Sequence, residues 1–132
     1  MANNKKKQYE YDDTEMPNKI EKKHLYEDIR KLNSYFYICY SNANAIFRNS
    51  YGIIIVNKMS TLLSIISKMY FNDFDINNLH EMKLIVKDIE FHIRLVYDNK
   101  VFSKKQITQL GKLIASLDSK IKMFIHDYEL CQ

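Results

Sequence analysis

The sequence predicts an all-α domain, an up-down-up-down antiparallel four-helix bundle, on three observations. Apolar residues recur at alternating spacings of three and four in four separate stretches, which keeps them on one helix face. The 132 residues include only two glycines and one proline, too few for the tight turns of a β-sandwich or barrel. The links between the periodic stretches are short, so consecutive helices must double back on one another.

The chain opens with Lys5, Lys6 and Lys7 set against Glu10, Asp12, Asp13 and Glu15, with few apolar residues besides Tyr9, Tyr11 and Met16. Such a segment buries too little to offset its ordering entropy, so 1–18 is expected to be a flexible arm and 19–132 the bundle domain. The first helix, near 19–46, carries Leu25, Ile29, Leu32, Phe36, Cys39, Ala43 and Ile46 on one face, with Asn18 and Glu21 suited to its start. The second, near 51–71, carries Gly52, Ile55, Met59, Leu62, Ile66 and Met69. The third, near 79–98, carries Leu79, Met82, Val86, Ile89, Ile93 and Val96, and Asn78 with Glu81 suits its N-cap. The fourth, near 104–130, carries Ile107, Leu110, Ile114, Leu117, Ile121, Phe124 and Tyr128. Ser103 and Gln106 fit a capping box before it, and Phe102 and Ile107 stand where a hydrophobic staple would fix its approach angle.

Composition narrows the function. With 46% hydrophobic and 27% charged residues the chain is expected to be one soluble globular domain. No uncharged run reaches the roughly 20 residues of a membrane span, so no transmembrane helix and no membrane partner are expected. Gly52 and Gly111 stand alone, whereas dinucleotide and P-loop sites need several glycines where backbone meets phosphate. Cys39 and Cys131 form no disulfide framework, and Lys5–Lys7 lead into a polar stretch and not an apolar leader, so a cytoplasmic location is expected.

No catalytic constellation emerges, and the chain is expected not to be an enzyme. A di-iron bundle requires paired Glu-x-x-His motifs on two helices, and no such pair is present; Glu90 and His92 are two residues apart, and His24 precedes Glu27 in the reverse order. No metal and no cofactor are expected. Cys39 sits on an apolar seam as a small hydrophobe, and Cys131 lies next to the last residue. His80 and His126 fall near helix ends. The ten tyrosines and seven phenylalanines are many for a small bundle. The second helix is apolar nearly all round, at Ile53–Val56 and again at Leu62, Leu63, Ile65 and Ile66. Apolar residues beyond one stripe need a second buried contact, so a homo-oligomer is expected, with Tyr37, Ile54, Leu63 and Ile65 as interface candidates.

The net charge of +4 is uneven: 73–98 is acidic, while 99–132 is basic and holds Lys100, Lys104, Lys105 and Lys112 with no acid between Asp98 and Asp118. Lys87, Arg94, Lys104, Lys105, Lys112 and Lys120 are the candidates for contact with phosphates or acidic partner groups. A basic stripe along one helix suits counterion-releasing contact with a nucleic-acid backbone; a solvated lysine face explains it equally. Lysines outnumber arginines 17 to 3 and the net charge is modest, which together weigh against strong nucleic-acid binding.

The run Ile93–Asp98, the turn to Ser103–Gln106, Leu113-Ile114, Ser119–Ile121 and the segment Phe47–Gly52 together resemble the accessory variability determinant (Avd) proteins of diversity-generating retroelements. The resemblance spans about residues 25 to 128. It implies a small four-helix bundle that forms a homopentamer with a basic surface and binds a reverse transcriptase and its template RNA. Within it, Arg94 falls on a recurrent arginine and Lys120 on the basic residue after a recurrent glycine, which is Ser119 in this chain. The alternative from the residues themselves is a helical interaction module that binds protein only.

Overall fold

The structure is a computed structural model that describes residues 22–71 and 75–130. The expected arm over 1–18 and the Asn18–Glu21 cap lie outside the described residues. Among those residues the chain is all-helical, with no strand: α1 (Lys22–Ser41), α2 (Ala45–Arg48), α3 (Tyr51–Phe71), α4 (Ile76–Asp98) and α5 (Lys104–Leu130). The helix α1 packs against α3 and α5, α4 packs against the same two, and the short α2 rests on α3. Each long helix therefore has two neighbours around a shared core.

The spacing of three and four explains what fills that core. Leu25, Ile29, Leu32, Phe36 and Cys39 of α1, Ile55, Met59, Leu62, Ile66 and Met69 of α3, the six seam residues of α4, and Leu110, Ile114, Leu117, Ile121 and Phe124 of α5 are each at most 5% exposed. Full burial of one such side chain contributes about 1.5–3 kcal/mol. Ile65 joins them at 2% exposed. That corrects its assignment to a subunit interface: α3 touches both α1 and α4, so its buried stripe is wider than one seam. Leu63, another interface candidate, is half-buried against the core, while Ile54 and Tyr37 are exposed at 44% and 65%.

The first predicted helix is in fact two. It stops at Ser41, and Asn44 restarts the chain as the N-cap of α2, its side-chain oxygen accepting the Phe47 N–H at 2.8 Å. An asparagine that can bond its own backbone competes with helix continuation. The break leaves Ile46, on the seam by spacing, 83% exposed and turns Phe47 inward to 5%. Phe47 then meets Tyr40, Tyr51 and Phe102, with ring centroids 5.5–6.4 Å apart, and Phe102 also packs on Phe36. Tyr40 donates its hydroxyl to the Arg48 carbonyl at 2.7 Å. Much of the aromatic excess thus plugs one end of the domain, where α1, α2, α3 and the α4–α5 turn converge.

Other ends follow local chemistry. The start of α4 lies three residues before the expected one, because Asp75 and not Asn78 is the N-cap, accepting the Asn77 N–H at 2.9 Å. The end of α4 is a Schellman turn: Val101 N–H bonds the Val96 carbonyl and Lys100 N–H the Tyr97 carbonyl. Lys100 takes the left-handed position at φ 58° that glycine usually fills. The capping box is present at α5, with Ser103 N–H donating to Gln106 Oε1 at 2.8 Å and Gln106 N–H to Ser103 Oγ at 3.1 Å. Phe102 is buried, and Ile107 packs against the same core.

Only Lys58 and Lys68 interrupt α3, which by length and composition is apolar enough to cross a membrane.

The two glycines separate cleanly. A methyl added at Gly52 would stand 2.7 Å from a Tyr40 ring carbon and 2.9 Å from the Phe47 carbonyl oxygen, whereas one at Gly111 would meet nothing within 4 Å. Gly52→Ala is therefore expected to lower stability by about 1–3 kcal/mol through overpacking. Gly111→Ala, on an exposed helical position, is expected to raise it by about 0.4–1 kcal/mol. Urea melts of the two variants check the pair.

Candidate functional site

The capping box launches α5 with Lys104 and Lys105 in its first turn and Lys112 two turns further. These three lysines, with Thr108 and Gln109 between them and Tyr35 from α1, line an open concavity of about 650 Å³. Thr108 donates its hydroxyl to the Lys104 carbonyl, 2.9 Å away. Cys39 follows Tyr35 one turn along α1. Burial pushes both groups' pKa values up, and the Cys39 sulfur adds to the rise at Tyr35. Among the described residues, no carboxylate lies within ion-pairing distance of Lys104, Lys105 or Lys112.

The remaining candidate lysines are committed to carboxylates. Lys120 donates to Asp28 at 2.7 Å and to Ser116 at 3.2 Å, and Ser116 donates to the same Asp28 oxygen at 2.7 Å. Asp28 is only 8% exposed, so this triad bridges α1 and α5. The reason is angular. Seven residues return a helix position to within about 20°, but the eight-residue step from Lys112 to Lys120 rotates it about 80° at 100° per residue, off the outer face and toward α1. Lys87 lies 3.6 Å from Glu90 and 3.8 Å from Asp118, and Lys122 lies 2.8 Å from Asp118. Arg94 is exposed on α4 and does not line the concavity. Of the six sequence candidates, the structure brings together Lys104, Lys105 and Lys112 and sets Lys87, Arg94 and Lys120 apart.

A polar clasp between α3 and α4 escapes a reading by single residues. Tyr51 shares a hydrogen bond with Nδ1 of His92, whose Nε2 lies 3.7 Å from Asp88, and Asp88 pairs with Lys58. Its signal in the sequence is a seven-residue step from Tyr51 to Lys58 facing a four-residue step from Asp88 to His92. The hydrogen bond from Lys58 holds the Asp88 carboxyl below its ordinary value, while burial and the Asp88 charge push Tyr51 up. Exposed Leu84, Phe91 and Leu95 on α4 also lie off the heptad positions and went unmarked by the periodicity. Among the described residues, no three His, Cys, Asp or Glu side chains are grouped to hold a metal ion. No protein-family model, curated protein or solved structure matches the chain.

Two expectations follow. Lys120→Met leaves the buried Asp28 with Ser116 alone and should lower stability by about 1–3 kcal/mol, whereas Lys112→Met should stay within about 0.5 kcal/mol; denaturant midpoints distinguish them. Asp88 ionises more readily folded than unfolded, so it stabilises the fold above the ordinary carboxyl value near about 3.9 and that gain is lost as pH falls through its lowered value. Asp88→Asn should therefore cost at most about 1 kcal/mol at neutral pH for so exposed a pair. The gap between thermal melts of wild type and variant should narrow as pH falls below about 4 and close below the lowered Asp88 value.

Proposed function

We propose that the chain is a non-catalytic adaptor of a diversity-generating retroelement, binding template RNA on the basic face of α5 and a reverse transcriptase through its exposed apolar positions. The observation that carries the reading is the trio Lys104, Lys105 and Lys112, gathered on one concavity with no carboxylate partner among the described residues. Lys58, Lys87, Lys120 and Lys122 meet acids, whereas these three share one hollow with none among the described residues. Neutralising a nucleic-acid phosphate releases condensed counterions, which makes such a surface bind in low salt and let go in high salt. The resemblance to Avd proteins supplies the biological setting.

In this reading the helices form an up-down-up-down antiparallel bundle. Support comes from the crossings. Asp28 meets Ser116 and Lys120 while Tyr35 shares a concavity with Lys104 to Lys112, so α1 and α5 run oppositely. Tyr51 with His92 and Lys58 with Asp88 argue the same for α3 and α4. The protein assembles as a homo-oligomer, a pentamer by the resemblance, with Tyr37 and Ile54 at subunit contacts, and works in the cytoplasm without inserting α3 in a membrane.

A second reading, a protein-only interaction module, is favoured by Leu84 and Phe91, each 70% exposed on the outer side of α4. Titration of a structured RNA across salt concentrations separates the two. The adaptor reading expects log affinity to fall linearly with log salt, with each neutralised phosphate contributing about 0.7–0.9 to the slope. A Lys104→Gln, Lys105→Gln, Lys112→Gln variant should shallow that slope by about two to three. Salt-independent or undetectable RNA binding, with a protein co-purifying free of nucleic acid, would establish the module instead.

A further inference from the structure

We infer that the α1–α5 concavity takes a single-stranded segment of nucleic acid, with a base laid against Tyr35 and the backbone held by Lys105 and Lys112; this rests on the RNA reading above. Lysines alone cannot distinguish one polyanion from another, because an ammonium is a point charge without a shape to match. What distinguishes this surface is its opposite wall. An aromatic ring from a different helix lines the same hollow as the three lysines. A duplex keeps its bases stacked inside and presents only sugar and phosphate to a shallow basic surface, so the ring would find no partner. A single strand can turn a base outward, and aromatic side chains flanked by positive charge take such bases by stacking whatever their identity.

The dimensions agree. Lys105 and Lys112 stand seven residues apart, about 10 Å along the axis at 1.5 Å per residue, which is about three nucleotide steps of a stacked strand at 3.4 Å each. A nucleotide between the two anchored phosphates is therefore free to rotate toward α1. Gln109 sits in that interval on the lining, with no protein hydrogen bond to its amide among the described residues. Its amide can donate to or accept from a base edge or a 2′-hydroxyl.

The test measures affinity of the full chain for three polyanions: a uridine homopolymer of about 12 nucleotides, within the usual span of single-strand sites, an RNA duplex of equal length, and inorganic polyphosphate. The wild type should bind the homopolymer more tightly than either of the others. Tyr35→Leu should weaken the homopolymer about five- to a hundredfold, the loss of one base stack, while leaving its salt slope and the polyphosphate affinity unchanged. Tyr35→Phe, which keeps the ring and loses only the hydroxyl, should retain most of the affinity. Polyphosphate or duplex binding as tight as the homopolymer overturns the proposal in the wild type alone, independent of how either variant folds. So does an equal loss on homopolymer and polyphosphate in a folded Tyr35→Leu protein. If none of the three binds in a salt-dependent way, the RNA reading itself is what fails.

Discussion

Everything else in this protein depends on four apolar seams being covered at once by only four long helices. Among the described residues no seam has a sheet or a second layer to lean on, so each helix must present its stripe to two neighbours around one core. That requirement explains why α3 buries Ile65 as well as its strict seam residues, and why the chain can spare only one close approach that needs a glycine. Gly52 brings α3 against Tyr40 and Phe47. The aromatic plug of Phe36, Tyr40, Phe47, Tyr51 and Phe102 closes the end of the core that the helices alone would leave open.

Once the seams are covered, polar side chains sort into two populations. One crosses between helices: Lys120 and Ser116 with Asp28 join α5 to α1, Lys58 with Asp88 and Tyr51 with His92 join α3 to α4, and Lys87 with Asp118 joins α4 to α5. Three of the four neighbouring pairs of long helices thus have a polar crossing, which favours one register over slipped alternatives that bury the same apolar area. The other population, centred on Lys104, Lys105 and Lys112, touches no carboxylate among the described residues and does nothing for the register. A modest net charge therefore includes one hollow lined by three lysines.

The seams were legible because a period near 3.6 leaves a plain mark on a chain with so few turn residues, and the capping box at Ser103 and Gln106 is a local rule that tertiary context had no reason to override. Three features were not legible. Asn44 breaks the first helix inside an unbroken heptad, since a side chain that caps can win against a pattern that continues. Asp75 outcompeted Asn78 as a cap, and both are sound caps by local chemistry. Lys120 belongs to the basic run in the sequence, but the eight residues separating it from Lys112 carry it around the helix to Asp28. The clasp at Tyr51, Lys58, Asp88 and His92 needed two helices in register before its members could be seen together.

The claim that the two lysine populations differ in availability is tested most directly by lysine acetylation kinetics, read residue by residue by mass spectrometry with and without a structured RNA. The account predicts fast modification of Lys104, Lys105 and Lys112, suppressed by RNA, against slow modification of Lys58 and Lys120 that RNA leaves unchanged. Rates that do not separate the two groups, or RNA protection that falls on Lys58 and Lys120 and spares the α5 trio, would contradict it.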